Sequence, residues 1–318
     1  MRALSFVAAL LAIAVTADAH AQYPARPIRF IVPFPPGGSA DGIARIISQQ
    51  LTLAMGQQWL VDNRPGADGA LAGTLAMKAA PDGHTVFFGT NSPLSAVPAL
   101  RKEPPYDVLR DFTPISLIGR FTFILFTSPA VPAKTLGELI DYARANPGKL
   151  NYGSGNTGGI VAMAQLKSLA KLDMVHIPYK GDAPTTADML GGRIQLAFMA
   201  PIPALAQALD GRLRMLAVLL PQRSSLVPDV PTIAEAGMPG VSITPWTGLF
   251  GPARMNGDIV MRLSRELNSV LSRAEIREQI GRQGVEARGS TPSELGAHTR
   301  EQLQAWIRIV REANIPQE

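Results

Sequence analysis

Short apolar runs alternate along the chain with longer segments in which apolar residues recur every three or four positions. The short runs predict β-strands, and the longer segments predict amphipathic helices. In the first part of the chain, strands are predicted at residues 28–32, 59–61 and 85–88, with a helix at 41–55 between the first two. Strands separated by helices are typical of α/β domains with mostly parallel sheets flanked by helices.

The same pattern predicts two lobes. The run at 121–126 is the strongest β-pattern of the chain, and we interpret it as the first crossing between the lobes. We predict one lobe from residues 22–119 and 226–318 and a second from 120–225, because about 300 residues are enough for two domains. The further predicted elements are strands at 174–177, 194–198 and 213–219 and helices at 135–144, 160–169, 258–271 and 291–313.

The first 21 residues have the pattern of a secretory signal peptide. Arg2 precedes an apolar run at 3–15, and Ala19-His20-Ala21 matches a cleavage site. We therefore expect a mature chain that begins at Gln22. A membrane anchor is the alternative, but the apolar run is much shorter than the roughly 20 residues that a bilayer requires.

Composition narrows the class of protein. The chain contains no cysteine, which excludes disulfides, thiolate metal sites, cysteine nucleophiles and a lipid-modified N-terminal cysteine. An exported binding protein without a lipid anchor is retained only inside an outer membrane, so we expect the Gram-negative periplasm. The net charge is +5, but charged residues make up 17% of the chain and form no dense Lys/Arg run. No nucleic-acid surface is therefore expected.

A glycine-rich turn at residues 33–41, the first glycine turn, follows the strand at 28–32 and leads into the predicted helix. This order directs free backbone N–H groups and a helix N-terminus at one point, which makes an anion site. Pro35 and Pro36 would stiffen the turn, and Ser39 would cap the helix. An ordinary strand-to-helix loop is the alternative reading. The candidate donors are the amides of Gly37, Gly38, Ser39 and Ala40.

The second glycine turn, residues 153–158, has the same build and matches Gly-x-Gly-x-x-Gly. That spacing also occurs in dinucleotide-binding folds. The segment before it, residues 149–152, is too polar for the buried first strand of such a fold, and Asp173 precedes its strand instead of following it. Two anion-seeking turns in an exported chain favour a binding protein over an enzyme.

The sequence does not indicate a catalytic centre, and we expect no catalytic residue, no metal and no cofactor. Neither Ser39 nor Ser154 stands in the Gly-x-Ser-x-Gly pattern of a hydrolase. His84, His176 and His298 are far apart and have no metal-ligand spacing. A catalytic triad assembled only in space stays open at this point, so a secreted hydrolase is the alternative from another class.

Several motifs together resemble one family, the Bug receptors of tripartite tricarboxylate transporters, over essentially the whole mature chain. They are the first glycine turn with its helix start (33–45), Asn-Arg-Pro-Gly-Ala (63–67), the second glycine turn, Pro-Tyr-Lys-Gly (178–181), the segment 229–237 and Trp-Thr-Gly-Leu-Phe-Gly-Pro (246–252). The resemblance implies a two-lobed periplasmic binding protein, or Venus flytrap, without catalysis. It implies a monomer that captures a small organic carboxylate for the transporter's membrane components. An orphan receptor that senses the ligand is a further alternative.

In the family, backbone amides of the two glycine turns hold a ligand carboxylate between them. Carried over to this chain, the resemblance implies a first jaw formed by Phe34, Gly37, Gly38, Ser39, Ala40 and Asp41. The second jaw would be Gly153, Ser154, Gly155, Asn156, Thr157 and Gly158, with Tyr179, Lys180 and Gly181 near the cleft.

The chain also departs from the family pattern. Met199 stands near a strand end where an Asp or Asn is frequent, Asp68 replaces a usual Gly, and no His follows the second glycine turn. Because Met199 offers no strong hydrogen bond to a second polar end of a ligand, we expect a carboxylate with a less polar distal part, such as an aromatic ring.

Overall fold

Two β-sheets flanked by helices form the core of the protein in the computed structural model, which describes residues 23–179, 181–241, 243–312, 315 and 317. The predicted signal peptide, residues 1–21, lies outside these residues. Within them, no helix combines the length and apolar character that crossing a bilayer requires. The α/β class with two sheets is confirmed.

The elements follow one another in the alternation that the hydrophobic pattern predicts. The strands are β1 (Ile28–Val32), β2 (Trp59–Asn63), β3 (Thr85–Thr90), β4 (Phe112–Phe121), β5 (Ile124–Thr127), β6 (Asn151–Ser154), β7 (Val175–Pro178), β8 (Leu196–Met199), β9 (Arg214–Val218), β10 (Trp246–Pro252) and β11 (Val285–Ala287). The helices are α1 (Ser39–Met55), α2 (Ala70–Met77), α3 (Val97–Leu100), α4 (Val108–Asp111), α5 (Leu136–Ala145), α6 (Thr157–Ala170), α7 (Asp182–Leu190), α8 (Leu205–Leu209), α9 (Gly257–Ser272), α10 (Ala274–Arg282) and α11 (Pro292–Glu312).

The six-stranded sheet has the strand order β11-β4-β10-β3-β1-β2. Strand β1 pairs in parallel with both β2 and β3, as helical crossover connections require. Strand β10 returns from the other sheet and inserts antiparallel between β3 and β4, and β11 adds an antiparallel edge.

The five-stranded sheet has the order β7-β6-β8-β5-β9. Strand β6 pairs in parallel with β7 and β8, whereas β5 runs antiparallel to β8 and β9. Each sheet is therefore mixed, rather than mostly parallel as predicted. Most of the antiparallel pairs involve β5 or β10. These two strands follow the crossings between the sheets and run against the direction of their neighbours.

The predicted strand at 121–126 is two strands that belong to different sheets. Strand β4 ends at Phe121 and β5 begins at Ile124, so Thr122 and Phe123 make the crossing. The Thr122 N–H donates to the Gly284 carbonyl at 2.9 Å, and its hydroxyl lies 3.3 Å from that of Ser224. Hydrogen bonds of the Thr122 backbone and side chain thus hold this short crossing against neighbouring loops.

The chain stays with the five-stranded sheet for some distance after β9. Val230 packs against one face of that sheet and Ile233 against the other, and both are buried. The lobe bounds given above remain a prediction. We propose that the chain returns to the six-stranded sheet just before Trp246 instead of at residue 226, because the apolar side chains between these two positions fill the core around the five-stranded sheet.

The helices begin and end at recognisable signals. Helix α1 ends at Gly56, whose φ of +69° is the left-handed conformation that glycine adopts at low cost. Helix α5 begins with a capping box, in which the Thr135 hydroxyl accepts from the Glu138 N–H at 3.2 Å. The hydrophobic pattern did not indicate α7 and α10, because their buried apolar residues are few: Met189 in α7, and Ile276 and Ile280 in α10.

Candidate functional site

A cleft of about 710 Å³ lies between the two sheets and is lined by residues of both. Such a cavity has the size of a small-molecule site. It collects loops that follow the carboxyl ends of β1, β2, β3, β6 and β8, which is where ligands bind in open α/β sheets. The lining residues are Pro33, Phe34, Pro35, Gly37, Gly38, Ser39, Ala40, Pro65, Gly66, Asp68, Gly69, Thr90, Asn91, Ser92, Phe121, Phe123, Gly155, Asn156, Thr157, Gly158, Gly181, Asp182, Ala183, Ala200, Ile202, Pro203, Pro245 and Gln283.

The first glycine turn presents the N-terminus of α1 to this cleft. The helix begins at Ser39, and Gly38 is the N-cap, with φ −85° and ψ 170° and no side chain bonded to the helix end. The prediction that Ser39 caps the helix is therefore wrong. Since the first amides of a helix have no intrahelical partner, those of Ser39 and Ala40 are left to a ligand or to water.

Asp41 lies beneath the turn and holds it in place, and it does not line the cleft. Its carboxylate accepts from the Gly37 N–H at 3.0 Å, from Arg45 Nε at 2.9 Å and from Asn63 Nδ2 at 3.0 Å. The Asn63 amide also donates to the Phe34 carbonyl, so the carboxylate and the amide together clamp both ends of the turn. The Gly37 amide is thus engaged by Asp41, which leaves the amides of the next three residues as the donors of this jaw.

The charge of Asp41 fits this role. Burial raises the pKa of its carboxyl, but the hydrogen bonds from Arg45, Gly37 and Asn63 outweigh burial, and the pKa lies below its ordinary value. A carboxylate that accepts several hydrogen bonds stays ionised. Asp41 is therefore an anion that fixes the turn from below.

The second glycine turn places the N-terminus of α6 on the opposite wall. Asn156 is the N-cap, and its side-chain oxygen accepts from the Gly159 N–H at 2.7 Å. The Thr157 hydroxyl donates to the Ser92 hydroxyl at 3.3 Å, which joins the two walls of the cleft. Gly155, Asn156, Thr157 and Gly158 all line the cavity.

Gly153 and Ser154 belong to β6 and do not line the cleft. A Cβ on Gly153 would overlap the side chains of Ile194 and Thr185, so this glycine makes room for packing. The Ser154 hydroxyl lies 2.5 Å from His176 Nε2. Both residues thus contact other parts of the fold and do not contact the cavity.

Gly155 is a glycine for a different reason. A Cβ at this position would collide with the backbone carbonyl of Gly181, so the two loops touch backbone to backbone. Gly181 lines the cleft with φ +111° and is the N-cap of α7.

The other two residues predicted near the cleft, Tyr179 and Lys180, are not among its described lining residues. Tyr179 does not line it: its hydroxyl donates to Asp188 at 2.8 Å, and burial together with this carboxylate raises its pKa to about 12. Lys180 lies outside the described residues.

Sequence reasoning missed Asp182, the first residue of α7. Its carboxylate accepts from Asn156 Nδ2 at 2.7 Å and from the Ala200 N–H at 3.0 Å, and burial raises its pKa. It therefore ties together three loops of the second wall. An acidic residue directly after a glycine at a helix start is a signal that could have found it.

The polar strip at Thr90, Asn91 and Ser92 was also missed. It begins with the last residue of β3 and leads into the π-helical turn Ser92–Ala96. The rule that sites form at the carboxyl ends of parallel strands could have indicated it, had the strand order been known.

Met199 is not a cleft residue, which removes the reason given for a less polar ligand. It is fully buried in β8, where its sulfur accepts from the Thr186 hydroxyl at 3.5 Å. The apolar character of the cavity comes instead from Phe34, Phe121, Phe123 and Ile202, with several prolines.

The positive partial charges at the cleft belong to backbone groups and not to the described side chains. Among the lining residues that the structure describes, none is Lys, Arg or His, and two are acidic, Asp68 and Asp182. Four helix N-termini reach the cavity, through Gly38 of α1, Gly69 of α2, Asn156 of α6 and Gly181 of α7. Each helix N-terminus carries a partial positive charge, so the site is built to receive an anion without a basic side chain.

Comparisons with known proteins agree with this architecture. Protein BugT of Bordetella pertussis is 36% identical over 308 residues, covering 95% of this chain and 93% of BugT. The solved structure of Rpa4515 from R. palustris with adipate is 29% identical, has a TM-score of 0.82 and covers 93% of this chain and 100% of that one. MatC from Rhodopseudomonas palustris with bound malate is also 29% identical, with a TM-score of 0.75 and coverage of 91% and 100%.

The family match spans most of the chain. Residues 43–315 match the family described as the tripartite tricarboxylate transporter family receptor, TctC, and the resemblance to the Bug receptors is confirmed. The match favours a solute-binding receptor over the secreted hydrolase. The chain therefore belongs to the TctC family of tripartite tricarboxylate transporter receptors, and it is a solute-binding receptor.

Proposed function

We propose that this receptor captures a small organic carboxylate in the cleft between its two lobes. The observation that carries the proposal is the convergence of four helix N-termini on a cavity with no described basic lining residue. Backbone dipoles in a cleft that excludes water bind a carboxylate strongly. Adipate in Rpa4515 and malate in MatC, as those structures are described, support the same ligand class here.

The carboxylate would lie between the first turn of α1 and the first turn of α6. The amides of Gly38, Ser39 and Ala40 supply donors on one side, and Thr157 and Gly158 supply them on the other. Phe34, Gly155, Asn156 and Gly181 would shape the pocket around it. Asp41 would act from beneath as a positioning residue, and Gly153, Ser154 and Tyr179 would support the second wall from behind.

We propose further that the ligand has one end that is less polar. The side chains of Phe121, Phe123 and Ile202 form an apolar wall, while Asp68 and Asp182 would repel additional negative charge. A carboxylate with an aromatic or aliphatic body fits this lining better than a trianion does, because a buried charge without partners is costly.

The cellular role follows from the family. We propose that the mature protein starts at Gln22, works in the periplasm as a monomer, and delivers its ligand to the membrane components of a tripartite transporter. Closure of the two lobes over the ligand would be the signal that the membrane partner recognises.

A ligand panel tests the proposal. Isothermal titration calorimetry with benzoate, adipate, malate and citrate should give the tightest binding for benzoate, weaker binding for the dianions adipate and malate, and the weakest for the trianion citrate. Each carboxylate is compared with its amide, which should not bind, since the helix N-termini select the negative charge. Tighter binding of citrate, malate or adipate than of benzoate would contradict the less polar end, and equal binding of the amides would contradict carboxylate capture.

A further inference from the structure

A second cavity, of about 580 Å³, lies outside the cleft at the place where the chain crosses between the sheets. We call it the crossing pocket, and it is defined by Arg120, Gln222, Arg277, Glu286 and Arg288. It has no lining residue in common with the cleft. A molecule bound there would therefore occupy a site separate from the cleft.

The crossing pocket carries an excess of positive charge. Three arginines, Arg120, Arg277 and Arg288, line it together with one carboxylate, that of Glu286. In the part of the chain that the structure describes, none of the three guanidinium groups forms an ion pair. Arg277 Nε donates to the Leu271 carbonyl at 3.0 Å, and this contact holds the side chain against the end of α9.

Arg120 is the residue whose surroundings indicate that the pocket binds a ligand. Its Nε is buried and has no hydrogen-bond partner among the described residues. Burial and the nearby Arg288 lower the pKa of its guanidinium, and Glu286 and Glu301 are the carboxylates that act against this. A buried, charged donor without a hydrogen-bond partner is unfavourable. A ligand acceptor that bonds to it would therefore bind with the free energy of a hydrogen bond that the fold itself does not make.

We propose that the crossing pocket is a second anion site, for a small oxyanion with two or more negative charges, such as a phosphate compound or a polycarboxylate. Arginine forks pair with the oxygens of phosphate and carboxylate groups through parallel hydrogen bonds. Three guanidinium groups and one carboxylate leave two positive charges to neutralise, which favours a doubly charged ligand over a single carboxylate.

The position of the pocket links it to the movement of the lobes. Arg120 and Phe121 are neighbours at the end of β4, where successive side chains point to opposite sides. Phe121 lines the cleft, and Arg120 lines the crossing pocket. Gln222 reaches the pocket from the segment after β9, whereas Arg288 follows β11 in the other sheet. An anion held by both would tie the two sheets together at the crossing, and its binding would be coupled to that of the cleft ligand.

Calorimetry at low salt with inorganic pyrophosphate and, in a second arm, with citrate tests the site. The variants are Arg288→Gln and Arg120→Gln, with Arg265→Gln as the matched control: it is an exposed arginine of α9 outside the pocket. Both pocket variants should weaken pyrophosphate binding about tenfold or more, and the control should leave it within about twofold. Citrate binding that follows the same order would assign polycarboxylates as well, whereas citrate unaffected by the pocket variants would restrict the site to phosphate compounds.

A cleft variant separates this proposal from the proposed function. Gly38→Pro, which removes a donor of the cleft, should leave pyrophosphate binding unchanged. The proposal is overturned if neither probe binds the unaltered protein at about 5 mM. It is equally overturned if Arg265→Gln weakens binding as much as Arg288→Gln, or if only Gly38→Pro weakens it. Should Arg120→Gln fail to fold, judged by its melting temperature, the exposed Arg288 decides the outcome.

Discussion

At the scale of single residues, Asp41 shows how the proposed site depends on a group that does not line the cleft. Its side chain is 6% exposed and its carboxylate takes three hydrogen bonds, one from the backbone of the turn that it supports. The resemblance alone assigned it to the jaw, and the structure gives it the role of a brace beneath the jaw.

Asp41→Asn should destabilise the protein and weaken carboxylate binding together. The change removes hydrogen bonds that the charged carboxylate accepts. Each lost bond costs about 1 to 2 kcal/mol, because the arginine among the donors is partly exposed. Urea unfolding measures the stability, and calorimetry measures the affinity. Asp141→Asn, an exposed position of α5, is the control and should change neither.

The stability lost in this variant should depend on pH in a defined direction. The folded pKa of Asp41 is lowered, so its contribution is fully present above the unfolded pKa of about 3.9 and disappears as the pH falls through the lower folded value. The difference in unfolding free energy between the two proteins should therefore shrink below about pH 4. A difference that stays constant down to the acid limit would show that the carboxylate charge is not what stabilises the turn.

At the scale of elements, the N-terminus of α1 is the part of the site that can be tested most directly. Gly38 has φ −85°, a value close to that of proline, and a Cβ there would meet only the Pro35 carbonyl, at 3.9 Å. An alanine Cβ thus fits the position and leaves the N–H group in place, whereas proline matches the φ and removes that group.

Gly38→Pro should weaken binding of the carboxylate about tenfold or more, because one charge-assisted hydrogen bond to the ligand is lost. Gly38→Ala should bind within about threefold of the unaltered protein, since its amide is retained. Calorimetry on the two variants gives the comparison, with unfolding curves to confirm that both are folded. Equal affinities of the alanine and proline variants would remove this amide from the site.

Much of the fold was predictable from local patterns, because strands such as β1 and helices such as α9 are long enough to show their period. The split of the run at 121–126 between two sheets was not, since both halves are equally apolar. In the site, the spacing of the glycines was enough to predict the two glycine turns. The aromatic wall was not predictable, because Phe121 and Phe123 reach the cleft only through the crossing between the sheets. Asp182 was not predictable either, because it meets Asn156 through a contact between loops that are distant in sequence.

At the scale of the whole molecule, the C-terminal helix α11 joins the two sheets. Trp306, Ile309 and Val310 of α11 form one buried cluster with Ala96 and with Val161 of α6, the helix whose N-terminus lines the cleft. The hydroxyl contact between Thr157 and Ser92 lies on the same side. The arrangement of the two sheets described here is therefore stabilised by apolar contacts.

Val161→Ala should shift the ligand-free protein towards an open arrangement. Removing two methyl groups from a buried cluster costs roughly 1 to 2.5 kcal/mol. We propose that this loss falls on the arrangement described here, because the contact joins α11 to a helix of the five-stranded sheet. Small-angle X-ray scattering should show a larger radius of gyration without ligand, which a saturating carboxylate reverses, and affinity should fall by about tenfold. Val241→Ala is the matched control: Val241 is buried in the core of the five-stranded sheet alone, so it should cost similar stability without a change in radius. If Val161→Ala lowers stability and leaves both radius and affinity unchanged, the cluster is ordinary core, and lobe closure rests on the ligand.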